Sequence, residues 1–260
     1  MMNPQIVTLT TDWGTKDFFS GMVKSKLLNA IPGVQIIDIT HDVEQYSLLA
    51  GSFVVKNACL NFPAGTIHII DINAVETQKA SFIVVQYNDQ YYICTDDGLP
   101  SVVFGNNYQS ITQITLPQNG ESYSFASYNI FCEVAALISK GTPLSEIGTP
   151  LESLNQVTQF AVIAGGDYFD AHVIYTDSYG NAYLDLTYNQ FDQMRNGRKF
   201  TAEAHGFKIH ALSDSYNASQ SLSAVLLPSA TGHLEIAICN ASAVQLLALR
   251  IGDSVRFEFK

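Results

Sequence analysis

From residue 6 to residue 70 the chain alternates short apolar runs with segments of helical period, and this alternation restricts the fold more than any other feature. Residues 6–10 read as a buried strand. Phe19, Met22, Val23, Leu27 and Ala30 then recur at helical spacing until Ile31-Pro32-Gly33 ends the helix, with Asp17 placed to cap it. Residues 34–39 form the next strand, residues 46–60 the next helix, and after Phe62-Pro63-Ala64-Gly65 residues 66–70 return to strand. Strand, helix, strand, helix, strand predicts a parallel sheet covered on both faces and joined by right-handed crossovers. A hairpin follows, with residues 82–87 and 91–94 around Asn88-Asp89, then a strand at 111–116 and a helix at 130–139. The stretch from Gly141-Thr142-Pro143 to Gly148-Thr149-Pro150 predicts a linker running to about Gly166.

The second half changes character. Short strands are expected at 171–176, 182–186, 198–204, 224–227 and 234–238, with one helix at 243–249 before a last strand at 254–259. Short strands separated by turn signals predict a small β-barrel or sandwich. The expected class is therefore α/β: an N-terminal parallel-sheet domain over residues 1–155 and a smaller C-terminal β domain over residues 166–260. No internal repeat is visible.

Charge narrows the partners. Lys plus Arg is 13 against 24 Asp plus Glu, a formal net charge of −11. A nucleic-acid or anionic-membrane binder needs a cationic face, so both are excluded and a cationic small molecule is favoured. No apolar run reaches the roughly eighteen residues of a membrane span. Met1-Met2-Asn3-Pro4 lacks the basic and apolar regions of a signal peptide, so a cytoplasmic protein is expected. Cys59, Cys94, Cys132 and Cys239 are far apart among apolar neighbours and read as buried free thiols; the six histidines are scattered, and no metal site is expected.

The sharpest local feature is Asp12 and Asp17 flanking Trp13-Gly14 directly after the first strand. In an open α/β sheet the ligand crevice lies beyond the carboxyl ends of the strands, where this loop falls. Each aspartate alone reads as a turn or cap residue; together, in an acidic chain, they fit recognition of sugar hydroxyls or an ammonium group. Asp96-Asp97-Gly98 reads as turn chemistry opening a short helix. His41 is either an acid–base group or a structural hydrogen-bonder. No GxGxxG after a strand, GxxxxGK[ST] or GxSxG occurs, which removes dinucleotide oxidoreductases, P-loop enzymes and α/β-hydrolases.

Whole strings say more. Thr8-Leu9-Thr10-Thr11-Asp12-Trp13-Gly14-Thr15-Lys16-Asp17, Ile36-Ile37-Asp38-Ile39-Thr40-His41, Phe62-Pro63-Ala64-Gly65-Thr66-Ile67-His68 and Asp96-Asp97-Gly98-Leu99 occur in order. Asp177-Ser178-Tyr179-Gly180-Asn181 and Gly232-His233-Leu234-Glu235-Ile236-Ala237-Ile238-Cys239-Asn240-Ala241 follow. Together they resemble the S-adenosyl-L-methionine (SAM) hydroxide adenosyltransferase family, relatives of the fluorinase and chlorinase. The resemblance implies a homotrimer with each SAM site between the N-terminal domain of one subunit and the C-terminal domain of the next, and no cofactor beyond SAM as substrate. It implies that Asp12 binds ribose hydroxyls, that Asp17 lies near the methionine part, and that Tyr46 either lines the pocket beside the sulfonium by cation–π attraction or is an ordinary helix-start aromatic. It further implies that Asp177 meets the methionine end while Asn181 and the Asn240-Ala241 backbone read adenine. Leu212 falls where relatives often carry an aromatic.

The sequence departs from the family at the residues that activate water. The D-P-G-V-G-T-x-R segment reads Asp71-Ile72-Asn73-Ala74-Val75-Glu76-Thr77-Gln78-Lys79, so the aspartate's place falls to Asn73, or to Asp71 with a two-residue slip, and no arginine is supplied. The F-H-G-R-D string reads Phe125-Ala126-Ser127-Tyr128-Asn129, so the histidine is lost, and Ser127 falls where the fluorinase has serine. The expected function is SAM hydrolysis to adenosine and L-methionine by displacement at ribose C5′, with Asn73 or Asp71, Glu76 and Ser127 positioning the water. The alternatives are a catalytically impaired SAM- or adenosine-binding protein and, more distantly, a SAM-dependent halogenase.

Overall fold

A strand buried along both faces belongs in the middle of a covered sheet. Strand β1 (Ile6–Thr11) is such a strand, with Val7 to Thr11 all buried. The computed structural model describes residues 4–74, 81–116, 124–157, 163–217 and 222–260, in two compact units, Met1–Val157 and Thr158–Lys260.

In the first unit, helix α1 (Phe19–Ala30) leads from β1 to β2 (Gln35–Thr40), and α2 (Leu48–Ala58) leads on to β3 (Ile67–Asp71). Strands β1, β2 and β3 are parallel, with β1 between the other two. Next come β4 (Phe82–Tyr87), β5 (Gln90–Thr95), α3 (Leu99–Phe104), β6 (Ser110–Ile114), α4 (Cys132–Ser139), α5 (Leu144–Ile147) and β7 (Gly148–Pro150). The sheet order is β2-β1-β3-β5-β4-β6-β7. It is parallel through β5 and antiparallel across β4, β6 and β7. The reversal comes from the hairpin at Asn88-Asp89, whose φ values of 50° and 57° are those a two-residue turn requires.

The stretch expected as linker from Gly141 to Pro150 is instead α5 and the edge strand β7. Gly148 is a packing glycine: a Cβ there would lie 1.7 Å from the Gln113 carbonyl oxygen of β6. Asp17 is exposed and does not cap α1, whose N-cap is Phe18 without a side-chain bond.

The two faces of the sheet differ chemically. Val7, Leu9, Ile67 and Ile69 pack with Val23 and Leu27 of α1 and with α4. The other face carries a buried polar chain: Thr8 Oγ1 bonds His68 Nδ1 at 2.7 Å, and His68 Nε2 bonds Gln90 Oε1 at 2.7 Å. The Tyr92 hydroxyl also donates to Gln90 Oε1. Burial pushes the His68 pKa down to about 4, so the ring stays neutral and staples β1, β3 and β5.

The second unit comprises β8 (Ile163–Ala164), β9 (Tyr168–Thr176), β10 (Ala182–Thr187), α6 (Tyr188–Arg195), β11 (Phe200–Ala204), β12 (Phe207–Ile209), β13 (Ala224–Pro228), β14 (His233–Ile238), α7 (Ala243–Leu246) and β15 (Ser254–Phe259). Its antiparallel order, β12-β11-β15-β9-β10-β14-β13 with β8 on β9, makes a nearly closed, barrel-like sheet. Phe169, Phe191 and Phe257 fill the interior. Helix α6 supplies Phe191 and starts at a capping box between Thr187 and Gln190. Among the described residues no helix is long and apolar enough to cross a membrane.

Candidate functional site

The strand order β2-β1-β3 places a topological switch point between β1 and β3, where chain connections leave in opposite directions and open a crevice at the strands' carboxyl ends. Asp12 follows β1 and Asp71 ends β3, so the crevice is edged by two carboxylates. Asp12 Oδ2 accepts the backbone N–H of Tyr46 at 3.0 Å and that of Asn73 at 3.2 Å. Both donors have positive φ, 63° and 53°, a conformation that costs a non-glycine residue energy. One carboxylate thus holds two strained loops against the end of β1. Asn73 takes part through its backbone, and the Tyr46 ring, 70% exposed, stands in solvent two residues before α2.

Asp71 lies deeper. It is only 4% exposed, and its Oδ2 has no hydrogen-bond partner of full geometry. The Ser127 hydroxyl, completely buried near Asp71, likewise lacks a partner of full geometry. Burial pushes the Asp71 pKa up to about 7; nearby Ser127 and Trp13 pull it down and the charge of Asp12 raises it further. Ser127 begins a π-helical turn, Ser127–Phe131, that runs into α4. Such turns occur mostly as local insertions in helices, frequently at functional sites. The ammonium of Lys26 in α1 bonds the Tyr128 carbonyl and lies over its ring, which fixes the turn.

Trp13 roofs this corner. It stacks on His41 with centroids 5.7 Å apart and meets Phe125 edge-on at 5.1 Å. His41 is buried and bonds Thr11 Oγ1 through Nδ1 at 2.8 Å, while its Nε2 approaches Asp38 at 3.3 Å without hydrogen-bond alignment. That is the structural role of the two considered from sequence. Asp97 accepts the Leu99 N–H, a turn contact, whereas Asp96 accepts the Asn155 N–H and ties its turn to a segment distant in sequence. Glu76 lies outside the described residues, as do Gln78 and Lys79.

The second unit gathers its own set. Asp177, Asn181, Asn240 and Ala241 line one cavity of about 800 Å³, together with Tyr183 and Tyr216. That volume is within the range of small-molecule sites. Asp177 organises the loop before β10: Oδ1 accepts the N–H groups of Tyr179 and Asn181, and Oδ2 accepts Asn181 Nδ2 and the Tyr183 hydroxyl. Gly180, with φ +80°, lets that loop approach Ser242, since a Cβ would come within 2.1 Å of its Oγ. Leu212 bridges to Leu226 of β13 and packs on the barrel core. Sequence reading missed Tyr183 and Tyr216 as cavity walls. Tyr183 was legible as an outward residue of the alternating β10, whereas Tyr216 reaches the cavity only through the path of the loop after Leu212.

These features define a class: an α/β unit with an acidic crevice at its switch point, joined in sequence to a barrel-like antiparallel unit that carries its own polar cavity. The family models for the SAM hydroxide adenosyltransferase N-terminal and C-terminal domains match residues 7–148 and 171–256. The chain belongs to the SAM hydroxide adenosyltransferase family. A relative from Methanocaldococcus jannaschii named (R)-S-adenosyl-L-methionine hydrolase is 27% identical over 187 residues, which span 70% of this chain and 66% of the relative, just under two thirds. A protein of the same name from Salinispora tropica is 23% identical over 96% of both chains. Among solved structures, a conserved protein from Thermotoga maritima matches with a TM-score of 0.87 at 25% identity over 97% of this chain and 99% of its own. One from Thermus thermophilus matches in fold with a TM-score of 0.76 at 18% identity, over 98% and 100%.

Proposed function

We propose that the protein hydrolyses SAM to adenosine and L-methionine by attack of water at the ribose C5′. The observation that carries the reading is the pair of buried polar groups, Asp71 Oδ2 and Ser127 Oγ, that lie close together without a hydrogen bond of full geometry at the switch point of a chain matched by both family domains. A water held beside this pair would complete the hydrogen bonding of both groups. Its oxygen attacks C5′, the C5′–S bond breaks with its electron pair going to sulfur, and methionine leaves as a neutral thioether. Asp71 takes the water proton when ionised, a task for which a pKa of about 7 is suited. The reaction consumes the sulfonium charge, so a site closed to bulk water favours the transition state. Asn73 has no basic atom, and in this reading it serves through its backbone, pinned by Asp12.

The other contacts follow the resemblance. Asp12 presents its remaining oxygen to ribose hydroxyls, Tyr46 and Asp17 lie toward the sulfonium and methionine, and Asp177, Asn181, Asn240 and Ala241 serve the C-terminal half-site. We place the protein in the cytoplasm as a homotrimer in which neighbouring subunits complete each other's sites.

Purified protein incubated with SAM should give adenosine and methionine in proportion to protein, as separated by chromatography. Asp71→Asn should lower the rate by about a hundredfold or more. Wild-type kcat/KM should rise with pH through about 7, because Asp71 must be ionised to accept the proton. No adenosine above the uncatalysed background sinks the proposal. A second reading, SAM binding without turnover, is favoured by Ala126, which is fully buried where the family's histidine falls. It predicts a SAM-dependent rise in melting temperature with no product. A 5′-halo nucleoside formed with added chloride or fluoride would instead point to a halogenase.

A further inference from the structure

Glu235 lies on β14 opposite Tyr183 of β10. Leu234, Ile236 and Ile238 of β14 enter the barrel core, whereas Ala237 joins Val225 and Leu227 in a small cluster on the other face, the face of Glu235. A glutamate on the outer face of a barrel is normally solvated. Glu235 has no exposed surface at all. Tyr183 and Tyr216 lie within reach of it, yet neither Oε1 nor Oε2 has a hydrogen-bond partner of full geometry. Keeping such a group dry is costly, and the apolar neighbours show that this face accepts alkyl side chains.

Above the two tyrosines is the cavity of about 800 Å³, and Asp177 shares its wall. The lone pairs of Asp177 are largely occupied, since its oxygens accept four hydrogen bonds from Tyr179, Asn181 and Tyr183. Of the two carboxylates, Glu235 behind the wall is therefore the one with acceptor capacity left for the Tyr216 hydroxyl. We infer that Glu235 is a positioning residue that makes the cavity wall selective for cations, acting through the Tyr216 hydroxyl, since Tyr183 gives its one proton to Asp177. A phenol that donates to a carboxylate turns its own lone pairs toward the cavity, where a ligand's positive group is attracted and a neutral one gains nothing. Naming the ligand as SAM, with an ammonium and a sulfonium, rests on the function proposed above; the wall itself asks only for a cation.

Calorimetric titration of the full chain with SAM, with S-adenosylhomocysteine (ammonium but no sulfonium) and with neutral adenosine tests this. Glu235→Gln should weaken both amino-acid-bearing ligands by about tenfold to a hundredfold, the loss of one charge-assisted interaction, and leave adenosine within about twofold. Weakening of SAM alone would assign the cation to the sulfonium and still support the inference. Equal weakening of all three ligands, or of none, overturns it. Tyr216→Phe, which keeps the ring and removes the hydroxyl, should show the same selectivity in smaller measure and carries the test if Glu235→Gln fails to fold. Wild-type protein that binds none of the three overturns the proposed function; binding of all three with an unselective response to both variants overturns this inference alone.

Discussion

Burial raises the Asp71 pKa from 3.8 to about 7, and that shift acts on stability as well as on proton transfer. Between those values the folded chain holds a proton that the unfolded chain releases. The contribution of Asp71 to stability is therefore full below pH 3.8 and is lost as pH rises through about 7, where an ionised carboxylate sits in a dry site. Asp71→Asn should melt higher than wild type at pH 8, by several degrees, with the difference vanishing near pH 4. Scanning calorimetry across that range checks it, and equal melting temperatures at pH 8 would mean that Asp71 is not strained by its charge. Little of this was legible beforehand. The sequence left Asp71 and Asn73 as alternatives, because a two-residue slip in register is invisible in a string. Pairing of Thr11 with Asp71 in the sheet sends the Asp71 side chain inward and leaves Asn73 a backbone donor.

At the scale of elements, the edge of the first sheet depends on close approach. Gly148 is in extended conformation, so its need is space and not a positive φ. Gly148→Ala would drive a methyl group into the Gln113 carbonyl and part β7 from β6, costing about 2–4 kcal/mol, read as a lower urea midpoint at unchanged slope. Unchanged stability would mean that β7 moves freely as an edge. The periodic signals found β1 to β3 and the helices between them because each has one face against the core. The same signals passed over α6, whose composition is polar, although Thr187-x-x-Gln190 is a legible capping box. They passed over β7 because glycine and proline punctuate an edge strand as they punctuate a loop.

For the whole molecule, a ligand that binds only the folded chain raises its stability by an amount set by concentration. SAM or adenosine at about a hundred times its Kd should add about 2.7 kcal/mol, visible as a rise in melting temperature. An unchanged melting temperature at millimolar ligand would argue against both readings of function. Light scattering tests the trimer, and a monomer at working concentration would leave each half-site unaided. By itself the sequence determined the two-part architecture, since period and turn residues are local properties, and it determined the family, since the matching strings run in order along the chain. It also marked Asp12, Asp177, Asn181 and Asn240 as residues to watch. Only the tertiary structure decided what those residues do within the chain: Asp12 pins two strained loops, and Asp177 spends its oxygens on its own turn. Only it revealed the buried groups at Asp71, Ser127 and Glu235 that lack a hydrogen bond of full geometry. Burial and pairing of a polar atom are set by residues distant in sequence, and no local pattern encodes them.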